Sequence, residues 1–130
     1  MRKDSENLIL SAEYDLSTAK HMLETGRYIY VIFMCHIAIE KMLKAIMAEV
    51  TGKSPPKTHN LIYLLKIISL DIPQDFLEFI SKINNASVVT RYPEDFQKLL
   101  AAYPEEVAKN YFTVTNEVIE WLRRNEKLKK

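Results

Sequence analysis

The segment YIYVIFMCHIAIEKMLKAIM, residues 28 to 47, restricts the fold more than any other part of the chain. Between Tyr28 and Ile39 it is apolar apart from His36, after which Glu40, Lys41 and Lys44 arrive while the apolar residues continue. A membrane helix needs roughly 20 apolar residues without charge. Here His36 breaks the run early and the charges follow, so the segment is too short and too charged to span, and no membrane association is expected. It reads instead as a helix, about Arg27 to Val50, that is apolar around most of its circumference. Such a helix has to lie at the centre of a bundle. Four thin neighbours would not cover it fully, which argues for a homodimer burying at least ~1,000 Å² in total.

The remaining chain supplies the neighbours. From Asp4 to Thr25, the residues Ile9, Ala12, Leu16, Ala19 and Leu23 step by three and four along one helical face, and Gly26 stands where a left-handed stop residue belongs. TGKSPP closes the central helix with a loop. A third, short helix starts near Thr58 or Asn60, either of which can cap its first amides. Asp71 and Pro73 separate it from a fourth, PQDFLEFISKINN. ASVVTRYP reads as extended, because Val88, Val89 and Thr90 are β-branched and Pro93 disfavours helix at Tyr92. Residues 94 to 103 are ambiguous. Pro104 suits the first turn of a last helix whose face is Val107, Tyr111, Val114, Val118 and Trp121, and the basic tail 123–130 should fray. No strand alternation and no repeat occurs. The fold class is all-α, an up-and-down bundle of four to five helices in a single domain over 1–130, with its core at about 8–125.

Composition narrows the function. Eighteen basic and seventeen acidic residues leave a net charge of +1, so no whole-molecule field draws in nucleic acid, although a local basic patch can. The single cysteine, Cys35, excludes an internal disulfide and a cysteine-based zinc site, and its apolar setting marks a buried, inert thiol. MRKDSENLIL turns polar at once, unlike a secretory leader, so a cytoplasmic protein is expected. Glu-x-x-His is absent, His21 and Glu24 run in the reverse order, and there are three histidines in all. With no glycine-rich phosphate loop, nucleophile elbow or Cys–His pair either, no metal and no cofactor is expected.

Three groups of residues could carry chemistry. His36, Glu40 and Lys44 form one column on the central helix with Lys41 beside it; Glu40 and Lys44 have the favourable order for an i to i+4 pair. The column is either a solvated stripe or the polar floor of a groove, and Asp15 could meet Lys41 or Lys44 across the first helix pair. His59, beside Lys57, lies at a helix start, where it caps or helps to hold an anion. Arg91 and Tyr92 fall in an irregular stretch that presents side chains rather than packing them. Arginine offers a planar fork for phosphate and tyrosine a face for a base, while an ion pair to a carboxylate is the structural alternative for Arg91. Lys41, Lys44, His59, Arg91 and Tyr92 are thus the candidate residues for binding a nucleotide or another anion.

These pieces in this order resemble the HEPN domain family. The resemblance covers roughly residues 8 to 125 and rests on Ala12-x-x-Asp15-Leu16-x-x-Ala19, Glu40-Lys41-x-x-Lys44-Ala45, Thr58-His59-Asn60-Leu61 and Arg91-Tyr92-Pro93. It implies a four- to five-helix up-and-down bundle that dimerises. Many members stand beside a minimal nucleotidyltransferase partner in toxin–antitoxin-like pairs. Many are metal-independent ribonucleases using Arg-x4-6-His, in which arginine steadies phosphorane charge and histidine moves a proton. Arg91 resembles that arginine, but the histidine positions hold Phe96, Gln97 and Lys98, and no histidine follows His59. The match is therefore to the branch with Arg91-Tyr92-Pro93, for which nucleotide or nucleic-acid binding is inferred, and no catalytic residue is assigned. The alternative is a ribonuclease with a non-standard site built from Arg91 and His59, or with His36 in the place of His59.

Overall fold

The computed structural model describes residues 1–128. Among them the chain forms six α-helices and a final 3-10 turn, with no strand: α1 (Lys3–Glu24), α2 (Tyr28–Thr51), α3 (Leu61–Ile68), α4 (Gln74–Arg91), α5 (Phe96–Ala102) and α6 (Glu105–Arg123), then Glu126–Leu128. No helix among the described residues is long and apolar enough to cross a membrane.

α2 is the axis of the molecule, flanked by α1, α3, α4 and α6. It runs antiparallel to α1, since Glu49 bonds Ser5 near one end of the pair and Lys41 bonds Asp15 further along. Gly26, at φ +80°, turns the chain between them in a conformation that costs other L-residues strain. The small residues Ala12 and Ala19, fully buried on α1, give α2 a close neighbour. α4 and α6 are also antiparallel, Phe76 meeting Trp121 and Phe79 meeting Tyr111. The long helices thus alternate in direction, as short links require.

Three sequence expectations change. First, ASVVTR is helical and continues α4 to Arg91. Ala86, Ser87 and Thr90 face the core while Val88 and Val89 face outward, and the β-branched residues cost only tenths of a kcal/mol each, roughly, against that burial. Ser87 and Thr90 donate their hydroxyls back to the carbonyls of Asn84 and Ala86, and Pro93 lies just far enough beyond Arg91 to constrain only Tyr92. Second, the buried face of α6 is Ala108, Tyr111, Thr115, Val118, Ile119 and Leu122; Val107, Val114 and Trp121 flank it half-exposed. Third, the chain after α6 turns back and buries Leu128 against α2, so up to that residue it does not fray; residues 129 and 130 of the tail lie outside the described residues.

The ambiguous stretch resolves as α5, its first turn capped by the Asp95 carboxylate, which accepts from the Lys98 amide at 3.1 Å. Asn60, not Thr58, caps α3, accepting from the Ile62 and Tyr63 amides. One argument for a dimer weakens, because the single chain by itself buries most of the apolar side chains of α2. The large apolar side chains left in water belong mostly to other elements, among them Val88, Val89, Tyr92, Phe96 and Leu100.

Candidate anion-binding site

Lys41 and Lys44 sit on one helix, three residues apart, and point to different neighbours. Lys41 Nζ lies 2.6 Å from Asp15 Oδ2 and 2.7 Å from Ser11 Oγ, both on α1. Lys44 Nζ lies 3.0 Å from Glu40 Oε2, and the other oxygen of that carboxylate, Oε1, is 2.9 Å from His59 Nδ1. The Glu40 and Lys44 side chains are 7% and 11% exposed, whereas that of His59 is 67% exposed. The column on α2 is therefore no solvated stripe. It is a near-buried ion pair that holds one face of an exposed imidazole.

His36 extends the column inward. It is fully buried and, among the described residues, neither ring nitrogen has a hydrogen-bond partner, although the Asn84 side chain and the His59 backbone stand beside the ring. Burial pushes the imidazole pKa down; the Glu40 carboxylate opposes this and the Arg91 guanidinium adds to it. A histidine in this setting stays neutral. The Glu40 carboxylate and the His59 backbone thus neighbour His36 where α2 meets the start of α3, and the Arg91 charge is near enough to act on the ring. Asn84 joins α3 to α4 there, its carbonyl oxygen accepting from the Leu61 amide at 2.9 Å.

Arg91 is the cation that the structure leaves uncompensated at this place. Among the described residues it has no ion pair; its guanidinium carbon lies 5.8 Å from the centre of the Phe33 ring, a cation–π contact. It lines a cleft of about 280 Å³ together with Arg27, Tyr28, Tyr30, Phe33 and Phe96. Tyr92, next in the chain, is 79% exposed but lines a different groove, beside Val88, Val89 and Lys98.

Of the five residues singled out from the sequence, Lys44 and His59 thus share one carboxylate, and Arg91 joins their neighbourhood through His36. Lys41 belongs to the α1 interface, and Tyr92 faces another groove. Sequence reasoning missed Arg27, Phe33, Asn84 and Phe96. The spacing of Arg27, Tyr30 and Phe33, three apart at the start of α2, was the available signal. Cys35 is fully buried, its thiol pKa pushed up to about 12 by burial, and carries no chemistry. No cluster able to hold a metal ion occurs among the described residues.

Residues 5–125 match the HEPN domain family. The crystal structure of a Thermus thermophilus protein superposes with a TM-score of 0.80 at 19% identity, covering 98% of this chain and 100% of that one. An archaeal HEPN homologue follows with a TM-score of 0.75 at 20% identity, covering 95% of this chain and 97% of that one. At these identities the two structures establish a shared fold and nothing finer. Among curated proteins, none matches the chain in sequence.

Proposed function

Since the chain belongs to the HEPN domain family, we propose that it is a dimeric cytoplasmic module that binds the phosphate of a nucleotide or of RNA, working beside a minimal nucleotidyltransferase in a toxin–antitoxin-like pair. The observation that carries the binding role is Arg91, which has no carboxylate partner among the described residues and lines a cleft beside aromatic rings. Lys41 and Lys44 are already compensated by Asp15 and Glu40. They add little to an anion site beyond fixing its walls. His59 contributes its free ring edge, since Glu40 engages only Nδ1.

The dimer is assigned to the exposed apolar side chains Val88, Val89 and Tyr92 at the end of α4. A contiguous patch of this kind is a common mark of a protein interface. A monomer by light scattering across micromolar concentrations would remove this part of the proposal.

The binding test is a salt series of nucleotide and short-RNA affinities for wild type, Arg91→Gln and Lys44→Met. Arg91→Gln should weaken binding and reduce the salt slope by about one, the effect of losing one phosphate contact. Lys44→Met should leave the slope unchanged. Equal affinities and slopes for wild type and Arg91→Gln would overturn the reading.

One observation favours a second reading, ribonuclease activity. If His59 donates from Nδ1 to Glu40, its Nε2 is a proton acceptor at the surface, as a general base must be. Metal-independent RNA cleavage abolished by both His59→Ala and Arg91→Ala would establish it over simple binding.

A further inference from the structure

The groove between α4 and α6 has no part in the anion site at Arg91. We infer that it docks an amphipathic helix of a partner protein, with apolar residues seated between α4 and α6 and a basic flank over the carboxylates on the rims.

Spacing sets the floor. Val107, Val114 and Trp121 recur every seven residues along α6, which keeps them on one edge of the helix. They are only partly buried, as is Phe76, which meets Trp121 from α4 with 6.3 Å between ring centres. At 1.5 Å per residue this edge extends roughly 21 Å, the length of a docked helix of about four turns. A helix laid in such a groove presents its own apolar residues at i, i+3, i+4 and i+7. Beside Phe76 and Val114 the groove measures about 320 Å³, at the bottom of the range for small-ligand pockets, which suits anchor side chains better than an enclosed ligand.

Charge names the partner. Asp75 and Glu78 on α4 and Glu117 on α6 line the groove, all three exposed, and none has an ion pair among the described residues. Asp75 suits the first turn of α4 through the helix dipole, and Glu78 accepts from the Gln74 side-chain amide at 3.4 Å. Glu117, in the body of α6, has neither use. The groove's one cation among the described residues, Lys82, lies over the Tyr111 ring at 5.0 Å and leaves the carboxylates in excess. An acidic rim around an apolar floor complements a helix with arginine or lysine beside its apolar stripe, and disfavours one with an acidic flank. Val88, Val89 and Tyr92, assigned to the dimer, line a separate groove.

Trp121 is the single tryptophan of the chain, so its emission reports on this edge directly. The test titrates the full chain with three synthetic helical peptides of equal length. One carries leucines at i, i+4, i+7 and i+11 flanked by arginines, the second the same leucines flanked by glutamates, and the third the arginines with glutamines in place of the leucines. Only the first should shift Trp121 emission to the blue, and its affinity should fall with added salt. Glu78→Gln and Glu117→Gln should each weaken it about threefold, as the loss of an exposed ion pair does, and the double variant about tenfold. Val114→Ala should weaken it about fivefold, the loss of two partly buried methyl groups, with a circular dichroism melt to confirm that the bundle is folded. The inference is overturned if no peptide shifts Trp121, if the arginine and glutamate peptides bind alike, or if binding survives both the double variant and Val114→Ala. It falls as well if Trp121 emission shifts with protein concentration alone, which assigns the groove to a second copy of the chain.

Discussion

The two ends of α2 are treated in opposite ways. Toward its C-terminus every charge is answered: Lys41 by Asp15, Lys44 by Glu40, and Glu49 by the Ser5 hydroxyl and the Arg2 amide. Arg2 also reaches Asp4 and the Gly52 carbonyl, which ties the start of α1 to the loop after α2. At its N-terminus, among the described residues, Arg27 has no ion pair, Tyr30 lies half in water, and Arg91 enters from α4 with a ring beneath it and no ion pair. A charge removed from water needs a partner to be tolerated, and one left in water does not. The compensated end is therefore architecture, and the uncompensated end is free to meet something else. Cationic side chains gathered at the two ends of one helix acquire different roles from what faces them.

That contrast can be broken most sharply at Glu40. Glu40→Ala leaves the near-buried Lys44 without its partner and should cost about 2–3 kcal/mol by urea denaturation, short of a fully buried pair because the lysine stem can reach water. Glu40→Leu combined with Lys44→Met should recover most of that loss, since paired apolar residues avoid the desolvation penalty. Asp15→Ala acts on a more exposed pair and should cost about 1 kcal/mol. At the other end, Arg27→Gln and Arg91→Gln should change stability by no more than about 0.5 kcal/mol while altering ligand binding. A large stability loss in either arginine variant would erase the distinction between the two ends.

A fourth expectation sharpens it through pH. The folded pKa of His36 is lowered below its ordinary value of 6.5 by burial, against the pull of Glu40 and with the push of Arg91. Between the folded and unfolded values the unfolded chain binds the proton and the native protein does not. The contribution is therefore fully present above about pH 6.5 and is lost as pH falls through that value toward the folded pKa. Thermal melts from pH 7.5 to 5 should show a fall in Tm that His36→Gln flattens. An equal fall in both proteins would mean that His36 is not the group responsible.

The sequence showed the helices where periodicity and punctuation agreed. Gly26, Asn60 and Pro104 each mark a boundary by a local rule, and the apolar stretch of α2 could occupy only the centre. Two errors share one cause. Val88 and Val89 argue locally for extended chain, and Val107, Val114 and Trp121 argue for the wrong edge of α6, because propensity and hydrophobicity do not say which side has a neighbour. Ala86, Ala108 and Thr115, small or polar, are buried because another helix lies against them. The candidate site was legible in its residue types and not in its pairing. Lys41 and Lys44 look equivalent in one dimension, yet Lys41 turns to Asp15 on α1 and Lys44 to Glu40, one turn back on its own helix. Arg27 and Phe96 join Arg91 only through the packing of α2, α4 and α5.

The bond from the Leu61 amide to the Asn84 side chain ties the start of α3 to the middle of α4. This bond cannot form before the middle of α4 has docked beside α3. His59 precedes Leu61 by two residues, so the docking of α4 also helps to fix its placement against Glu40. The Leu61 amide is consequently a reporter on α4. Its hydrogen exchange should slow only as α4 closes, and should follow the same opening free energy as the Ile80 and Ile83 amides on that helix. In Asn84→Ala the Leu61 amide would exchange freely while those two remain protected, separating the ordering of His59 from the folding of the bundle.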